Sequence, residues 1–318
     1  MLADNTCMTT QTLLTRPSSA MIAFALAAVY LVWGSTYLAI RFALVSFPPF
    51  FQMGSRFVVA GALLMIFLLL KGEKVPNFKK ESHLPWYWRN ALIIGTLMLA
   101  GGMGLVAVAA QTIGSGLIAT FIAIVPMMVA VIGLAFGKRP SRLEMAGMLI
   151  GFCGVILLLQ GENFSASTLG WLAMFGATLL WSIGSVLQTT KLPLAPGPMG
   201  FASEMLCGGA VLLLLSLALD EKISLPLDMR ALLAWGYLVV FGSLVAFSAY
   251  LFLLASVSPA LATSYAFVNP VIALFLGVWL GAEVVQKNEW LACGVILFGV
   301  LMFFAARLKS SVADALKK

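Results

Sequence analysis

Apolar runs of about twenty residues recur along this sequence, and they restrict what the chain can fold into. In an α-helix, about twenty residues span the ~30 Å hydrocarbon core of a bilayer. The composition agrees, because 62% of the residues are hydrophobic and 10% are charged, whereas soluble domains are about 25% charged. We therefore predict an all-α polytopic membrane protein with ten transmembrane helices. The predicted spans are residues 21–44, 50–70, 90–110, 114–136, 143–160, 168–189, 198–219, 231–254, 259–281 and 289–307.

Basic residues are concentrated on one side of these predicted spans. Fourteen lie in the terminal segments or in loops on the same side, whereas Lys222, Arg230 and Lys287 lie in the opposite loops. Lysine and arginine are enriched in cytoplasmic loops, so we predict that both termini are cytoplasmic in a bacterial inner membrane. The net charge of +7 then indicates topology rather than nucleic-acid binding. The fourteen bases are Arg16, Lys71, Lys74, Lys79, Lys80, Arg89, Lys138, Arg139, Arg142, Lys191, Arg307, Lys309, Lys317 and Lys318.

The two halves of the sequence resemble each other. A shift of 148 residues places Trp33 on Trp181, and a shift of 144 places Pro126 on Pro270. Each half has five predicted helices, an odd number, so the second half would enter the membrane from the opposite side. Inverted repeats are typical of alternating-access carriers, which hold their substrate near the midplane between the repeats. The predicted repeats are residues 21–160 and 168–307.

Four segments resemble those of a known family. They are Val29–Arg41 (VYLVWGSTYLAIR), Pro48–Phe57 (PPFFQMGSRF), Ser258–Pro270 (SPALATSYAFVNP), and Leu280–Glu283 (LGAE) followed by Glu289-Trp290. These segments are similar to EamA-type members of the drug/metabolite transporter superfamily, and the resemblance extends from Met21 to about Arg307. It implies two bundled five-helix repeats that export amino acids or related metabolites, with aromatic amino acids and cationic compounds among them. These motifs do not specify the substrate.

Two ionisable residues are predicted to lie within the membrane at equivalent positions of the repeats. Arg56 is about six residues into the second helix, and Glu204 is about six residues into the seventh. Such groups are costly in lipid, about 2.5–3.5 kcal/mol at the centre, and they usually face a cavity or a partner. The pair could bind the carboxylate and the ammonium group of an amino acid. The alternative is that each residue caps a helix or extends to an interface.

Tryptophan occurs at mid-depth in the first and sixth predicted helices, away from the interfaces where it normally collects. Trp33 and Trp181 could form the wall of a substrate pocket and offer a ring face to an aromatic or cationic solute. Helix packing explains them equally well. Their polar neighbours on the two helices are Ser35, Thr36, Tyr37 and Ser185, of which Ser35, Tyr37 and Ser185 belong to the candidate site.

The ninth helix carries Tyr265 and Asn269 beside Pro270. A proline inside a helix removes a backbone hydrogen bond and can kink the helix. We predict that Pro126 and Pro270 mark equivalent kinks whose freed carbonyl groups face the site, with packing kinks as the alternative. Small residues elsewhere predict close helix packing. These are Gly101, Gly102, Gly104, Gly114, Gly116, Gly147, Gly151, Gly154, Gly294 and Gly299.

The sequence offers no constellation for an enzyme, a metal or a cofactor. Its one histidine, His83, lies in a predicted cytoplasmic loop, and the four cysteines have no CxxC spacing. No GxxxxGK[ST] motif for binding ATP is present. Glu144 and Glu289 are predicted to cap helix starts.

We therefore predict an ATP-independent exporter of amino acids, aromatic ones among them, or of related small metabolites. The expected partners are that substrate and membrane lipid, without nucleic acid, and a monomer is the working expectation. The alternative is a cation-drug antiporter or another organic-solute carrier of the superfamily. Small multidrug antiporters carry a carboxylate midway along their first helix, whereas Val29–Thr36 has none. A channel or an intramembrane enzyme is disfavoured, because neither a ring of like charges nor a catalytic set is visible.

Overall fold

The computed structural model describes residues 18–75, 86–137, 140–160, 168–257, 259–262 and 264–315, and all regular elements in these ranges are helical. Residues 76–85 with His83, and the bases Arg16, Lys138, Arg139, Lys317 and Lys318, lie outside them. The main helices are α1 Ser19–Ala43, α2 Pro49–Leu70, α3 Tyr87–Ala109, α4 Ser115–Gly133, α5 Arg142–Leu159, α6 Thr168–Thr190, α7 Pro198–Ala218, α8 Met229–Ser256, α9 Tyr265–Trp279 and α10 Lys287–Ala315.

The predicted polytopic all-α fold is confirmed. Within the described residues, every main helix except α9 has the length and hydropathy needed to cross a membrane. The exception covers 15 residues. It is shorter than predicted because the span 259–281 is divided into a short helix, Pro259–Ala262, and α9 itself.

Both glutamates that were predicted to cap helix starts do so. The hydroxyl of Ser141 accepts a hydrogen bond from the Glu144 N–H at 3.3 Å, and the Glu144 carboxylate accepts one from the Ser141 N–H at 2.6 Å. This reciprocal capping box starts α5. At α10, the Glu289 carboxylate accepts from the Gln286 N–H at 2.8 Å. The first-turn carboxylates therefore satisfy backbone donors that the helix itself leaves unpaired.

Helix pairing repeats between the two halves. Helix α1 packs against α8 and α9, and its counterpart α6 packs against the counterparts of those helices, α3 and α4. Helices α2 and α5 lie along their own counterparts, α7 and α10. The two halves therefore use the same pattern of helix contacts.

The crossing of α5 and α10 depends on glycine. A Cβ atom added at Gly147 would lie 2.7 Å from the Phe303 nitrogen, and one added at Gly299 would lie 2.8 Å from the Gly147 carbonyl oxygen. The two backbones are therefore in direct contact, as small residues permit in membrane helices. Gly294 differs from the packing prediction, because a Cβ atom there would meet nothing within 4 Å.

Helices α3 and α8 each contain a stretch of π-helix that the sequence analysis did not predict. The stretches are Thr96–Met103 and Leu238–Val245. Each begins nine residues after the start of its helix, so the widening is a property of both repeats. π-Helical turns are uncommon and often occur at functional sites.

The two prolines do not have equivalent backbone settings. Helix α4 is interrupted between Ile122 and Val125, and Pro126 lies in the first turn of its second part. Pro270, in contrast, lies inside the continuous helix α9. Proline is well tolerated in a first helical turn but removes a backbone hydrogen bond in a helix interior. The structure therefore differs from the prediction of equivalent kinks.

Candidate functional site

Three aromatic rings from three helices meet at Trp33. The indole lies with its centroid 4.8 Å from the Tyr265 ring, in an edge-to-face arrangement, and 5.3 Å from the Tyr250 ring. Tyr250 and Tyr265 are themselves 5.6 Å apart at nearly right angles. We call these three residues the aromatic cluster. It joins α1, α8 and α9, and two of its members, Trp33 and Tyr265, belong to the predicted site.

The π-helical stretch of α8 connects the aromatic cluster to Arg56. The Trp33 Nε1–H donates to the Gly242 carbonyl at 3.2 Å, and the Arg56 Nε–H donates to the Ser243 hydroxyl at 2.9 Å. A Cβ atom at Gly242 would lie 3.1 Å from Arg56 Nη2 and 3.2 Å from the Thr36 methyl carbon. The absence of a side chain at Gly242 therefore allows α1, α2 and α8 to converge.

Arg56 is a buried cation. The residue is 4% exposed, and its guanidinium carbon lies 5.0 Å from the centroid of the Phe57 ring. Among the described residues, no carboxylate lies within ion-pair distance of it. Burying a charge is costly unless it is paired, and the Ser243 hydroxyl supplies no negative charge. The arrangement can therefore accept an anionic group.

The equivalent region around Trp181, where α6 meets α3, is built differently. Trp181 packs against the π-helical stretch of α3, where a Cβ atom at Gly102 would lie 2.9 Å from its ring. Ser185 donates to the Trp181 carbonyl at 2.8 Å and so bonds within its own helix. No ion pair within the described residues joins Arg56 to Glu204.

Glu204 is buried, with 4% exposure, in α7. In the part of the chain that the structure describes, its carboxylate has neither a hydrogen bond nor an ion pair. With a shift of 142 residues, which matches the starts of α3 and α8, Gly101 stands where the second repeat has Ser243. Glu204 therefore has no counterpart of the hydroxyl that anchors Arg56.

The remaining predicted residues lie around these features. The Ser35 hydroxyl lies 2.7 Å from the Tyr237 hydroxyl. Tyr37 is partly buried and packs against the large cluster of buried apolar side chains in the bundle. Asn269 is 5% exposed, and its side-chain oxygen has no hydrogen-bond partner in the described structure. Its backbone carbonyl faces Gly34 of α1. A buried acceptor without a donor is costly and marks a place where a ligand or water could bind.

The structure thus brings Trp33, Arg56 and Tyr265 together around α8, whereas Trp181 packs against α3 and Glu204 lies in α7. Sequence reasoning missed Tyr250, Gly242 and Ser243. A small polar pair within an apolar run was the available signal for Gly242 and Ser243, and it is weak. Tyr250 had no distinguishing signal.

Comparison with known proteins identifies the family. The model of the EamA-like transporter family matches residues 19–160 and 168–305. The chain belongs to this family. As an EamA-like transporter, it is a multi-pass protein of the inner membrane with two family repeats. Its role in the membrane is therefore transport.

Several proteins are similar to this EamA-like transporter. The "Uncharacterized inner membrane transporter YedA" of Escherichia coli (strain K12) is 43% identical over 279 residues, which cover 87% of this chain and 89% of that protein. "Protein PecM" of Dickeya dadantii is 25% identical over 280 residues, covering 86% and 87%. A solved structure, "Crystal structure of protein", has a TM-score of 0.62 at 20% identity and covers 92% of this chain and all of that one. That likeness supports the fold alone.

Proposed function

We propose that this transporter exports amino acids, aromatic ones among them, or related small metabolites by ATP-independent alternating access. The observation that carries the proposal is Arg56, a buried cation that lies beside the aromatic cluster and binds a hydroxyl. A solute with a carboxylate and an aromatic ring matches both features. The guanidinium can form two parallel hydrogen bonds with a carboxylate. Ring contacts with the aromatic cluster contribute about 0.5–1.5 kcal/mol beyond area burial.

Glu204 has the complementary role in this proposal. Its carboxylate lies in the other repeat and accepts the ammonium group of the solute at some stage of the cycle. A buried carboxylate gains most from a partner that carries a positive charge and hydrogen-bond donors. The proposed substrate site therefore extends from the aromatic cluster and Arg56 toward Trp181 and Glu204, with Ser35, Tyr37, Ser185 and Asn269 as further contacts.

Alternating access follows in this proposal from two inverted five-helix repeats, residues 21–160 and 168–307, with both termini in the cytoplasm. The contacts between equivalent helices support it, because a two-fold relation lets the same helices rearrange on either side of a midplane site. The end of the bundle that contains the end of α1 and the start of α2 then faces the periplasm. The proposed partners are the solute and lipid, for a monomer that needs neither a cofactor nor nucleic acid.

A counterflow experiment with purified protein in proteoliposomes tests this function. Vesicles loaded with unlabelled phenylalanine should accumulate labelled phenylalanine without ATP, because a carrier exchanges substrate across the membrane. Labelled leucine should exchange more slowly, since it offers the carboxylate without the ring. Liposomes without protein are the control. If neither phenylalanine nor leucine is exchanged, the proposal that the protein carries amino acids is contradicted.

A cation-drug antiporter is the second candidate, and Glu204 is the observation that favours it. An unpaired buried carboxylate suits a permanent cation that has no carboxylate of its own. The same vesicles distinguish the two functions when tetraphenylphosphonium is the labelled solute. Exchange of this cation without exchange of amino acids would support the antiporter.

The two tryptophans should differ in their effect on substrate choice. Trp33 lies in the aromatic cluster, whereas Trp181 packs against Gly102. We expect Trp33→Phe to weaken phenylalanine binding about two- to tenfold with little effect on leucine, because ring contacts are worth about 0.5–1.5 kcal/mol. Trp181→Phe should change both solutes equally. The measurement is the apparent affinity for each solute in counterflow. If Trp33→Phe weakens phenylalanine and leucine equally, as expected for Trp181→Phe, a specific ring contact at Trp33 is refuted.

A further inference from the structure

A single loop carboxylate connects both repeats at one end of the bundle. Glu283 lies between α9 and α10 and is 9% exposed. Its Oε1 atom accepts from Arg41 Nη1 at 2.7 Å and from the Ser115 N–H at 2.8 Å. Its Oε2 atom accepts from the Gly116 N–H at 3.3 Å. The end of α1 and the first turn of α4, both in the first repeat, are thereby held to the second.

The surrounding backbone is shaped around this carboxylate. A Cβ atom at Gly114 would lie 2.9 Å from Glu283 Oε2, and one at Gly277 would collide with the same oxygen. Ala282, immediately before it, has a φ of 50°, in the left-handed region that disfavours residues with a Cβ atom. Backbone strain of this kind often occurs at switch regions, where neighbouring contacts hold it in place.

The carboxylate adjoins a cavity at the same end of the bundle. A cavity of about 200 Å³ is lined by Arg41, Leu117, Glu283 and neighbouring residues. The Arg41 side chain is 42% exposed, and within the described residues Nη1 makes its one hydrogen bond. Ser115 is wholly buried, and its hydroxyl has no partner in the described structure. That hydroxyl lies near the Glu283 carboxylate, because a Cβ atom added at Gly277 would lie 3.0 Å from the hydroxyl oxygen and would also collide with Glu283 Oε2.

The residues that the repeat shifts match to Arg41 and Ser115 cannot form this arrangement. The shift of 148 residues places Thr189 where Arg41 stands, and the shift of 144 places Pro259 where Ser115 stands. Threonine has no charge, and proline has no N–H to donate. The contact is therefore specific to the end of the bundle where α1 ends.

We propose that Arg41, Glu283 and the first turn of α4 form a carboxylate-exchange gate. When this end is closed, Glu283 occupies the anion site formed by Arg41 and the α4 backbone. When a small solute leaves through this end, its carboxylate binds Arg41 in place of Glu283, and the contact between the repeats opens. The identity of the departing solute rests on the proposed function, whereas the gate itself does not.

Glu221 provides a matched control. It lies at the same end of the bundle, and its two oxygens accept from the Phe50 and Phe51 N–H groups at 3.1 and 2.8 Å, in the first turn of α2. It therefore caps a helix as Glu283 does, but within the described residues it forms no ion pair with a base. A capping role alone predicts similar behaviour for both glutamates.

The gate is tested with a cysteine probe at Leu117, which lines the cavity and is 5% exposed. In a background with the native cysteines replaced by serine, Leu117→Cys is labelled with a water-soluble maleimide in detergent micelles. We expect Glu283→Gln and Arg41→Gln each to raise the labelling rate about fivefold, the scale of one partly exposed ion pair. Glu221→Gln should leave the rate unchanged. Because Arg41→Gln keeps the α4 cap, it remains informative if Glu283→Gln fails to fold.

An unchanged labelling rate in Arg41→Gln would overturn the gate. An equal increase of the rate in Glu221→Gln would show that loss of a helix cap explains the effect without a gate.

Counterflow then tests the exchange of carboxylates. Arg41→Gln should raise the apparent KM for phenylalanine about fivefold, by the same reasoning, and leave that for phenylalaninamide unchanged. Equal effects on both solutes would overturn the exchange. If the unsubstituted protein exchanges no amino acid, the proposed function fails while the labelling result still decides the gate.

Discussion

Arg56→Ala is expected to lower the affinity for carboxylate-bearing solutes about ten- to hundredfold, because hydrogen bonds to a charged group contribute about 1.5–3 kcal/mol. Stability should change less. The substitution removes one bond to Ser243, but it also removes a cation whose burial is costly. The measurements are the apparent affinity for phenylalanine in counterflow and the melting temperature of the purified protein.

Two further variants distinguish the charge of Arg56 from its geometry. Arg56→Lys keeps the charge but lacks the planar pair of donors, so it should restore little of the affinity if the contact is bidentate. Arg230→Ala removes an exposed arginine that lies 5.6 Å from the Phe42 ring, and counterflow should be unaffected. An early melt with normal affinity in Arg56→Ala would indicate that Arg56 is structural.

Gly299→Val should prevent stable packing of α10 on α5. The first added carbon would lie 2.8 Å from the Gly147 carbonyl oxygen and would also collide with the Gly151 backbone. Neither backbone atom can move without separating the helices, so the loss should reach or exceed the ~1–3 kcal/mol of ordinary overpacking. We expect little monodisperse protein in size-exclusion chromatography and a marked fall in melting temperature.

Gly294→Val is the control on the same helix. An added Cβ atom there meets nothing within 4 Å, and the position is exposed, so the protein should purify and melt normally. Replacing glycine by valine changes the intrinsic helix propensity by the same amount at both sites, and the comparison therefore isolates the helix crossing. Similar damage from both substitutions would show that the crossing of α5 and α10 is more tolerant than its distances indicate.

Hydrophobic run length predicted most of the fold, because a bilayer sets the length of each helix independently of its neighbours. The repeat positions of Trp33 and Trp181 could also be identified, since tryptophan is distinctive in an apolar sequence. The π-helical stretches could not, because Thr96–Met103 and Leu238–Val245 contain no residue pattern that separates them from ordinary α-helix. Only the backbone geometry distinguishes these stretches from α-helix.

Contacts at the site were harder to predict than its residues. Arg56 was recognised from its charge, but its partner Ser243 is 187 positions away along the chain and is one of many hydroxyl residues in apolar helices. The Arg41–Glu283 pair was missed for a similar reason. Both residues lie at segment ends, where charges are ordinary, and their proximity depends on how α1 and α9 pack.

The inverted arrangement of the repeats that we propose would also set the orientation of a bound zwitterion. Matching α2 with its counterpart α7 places Arg56 on Glu204, a basic residue on an acidic one, so the proposed site would not share the repetition of the helices. In that proposal, a zwitterion turned end for end would bring its ammonium group to Arg56 and its carboxylate to Glu204. We therefore expect the proposed site to favour one orientation of an amino acid, with its carboxylate toward Arg56 and its ammonium group toward Glu204.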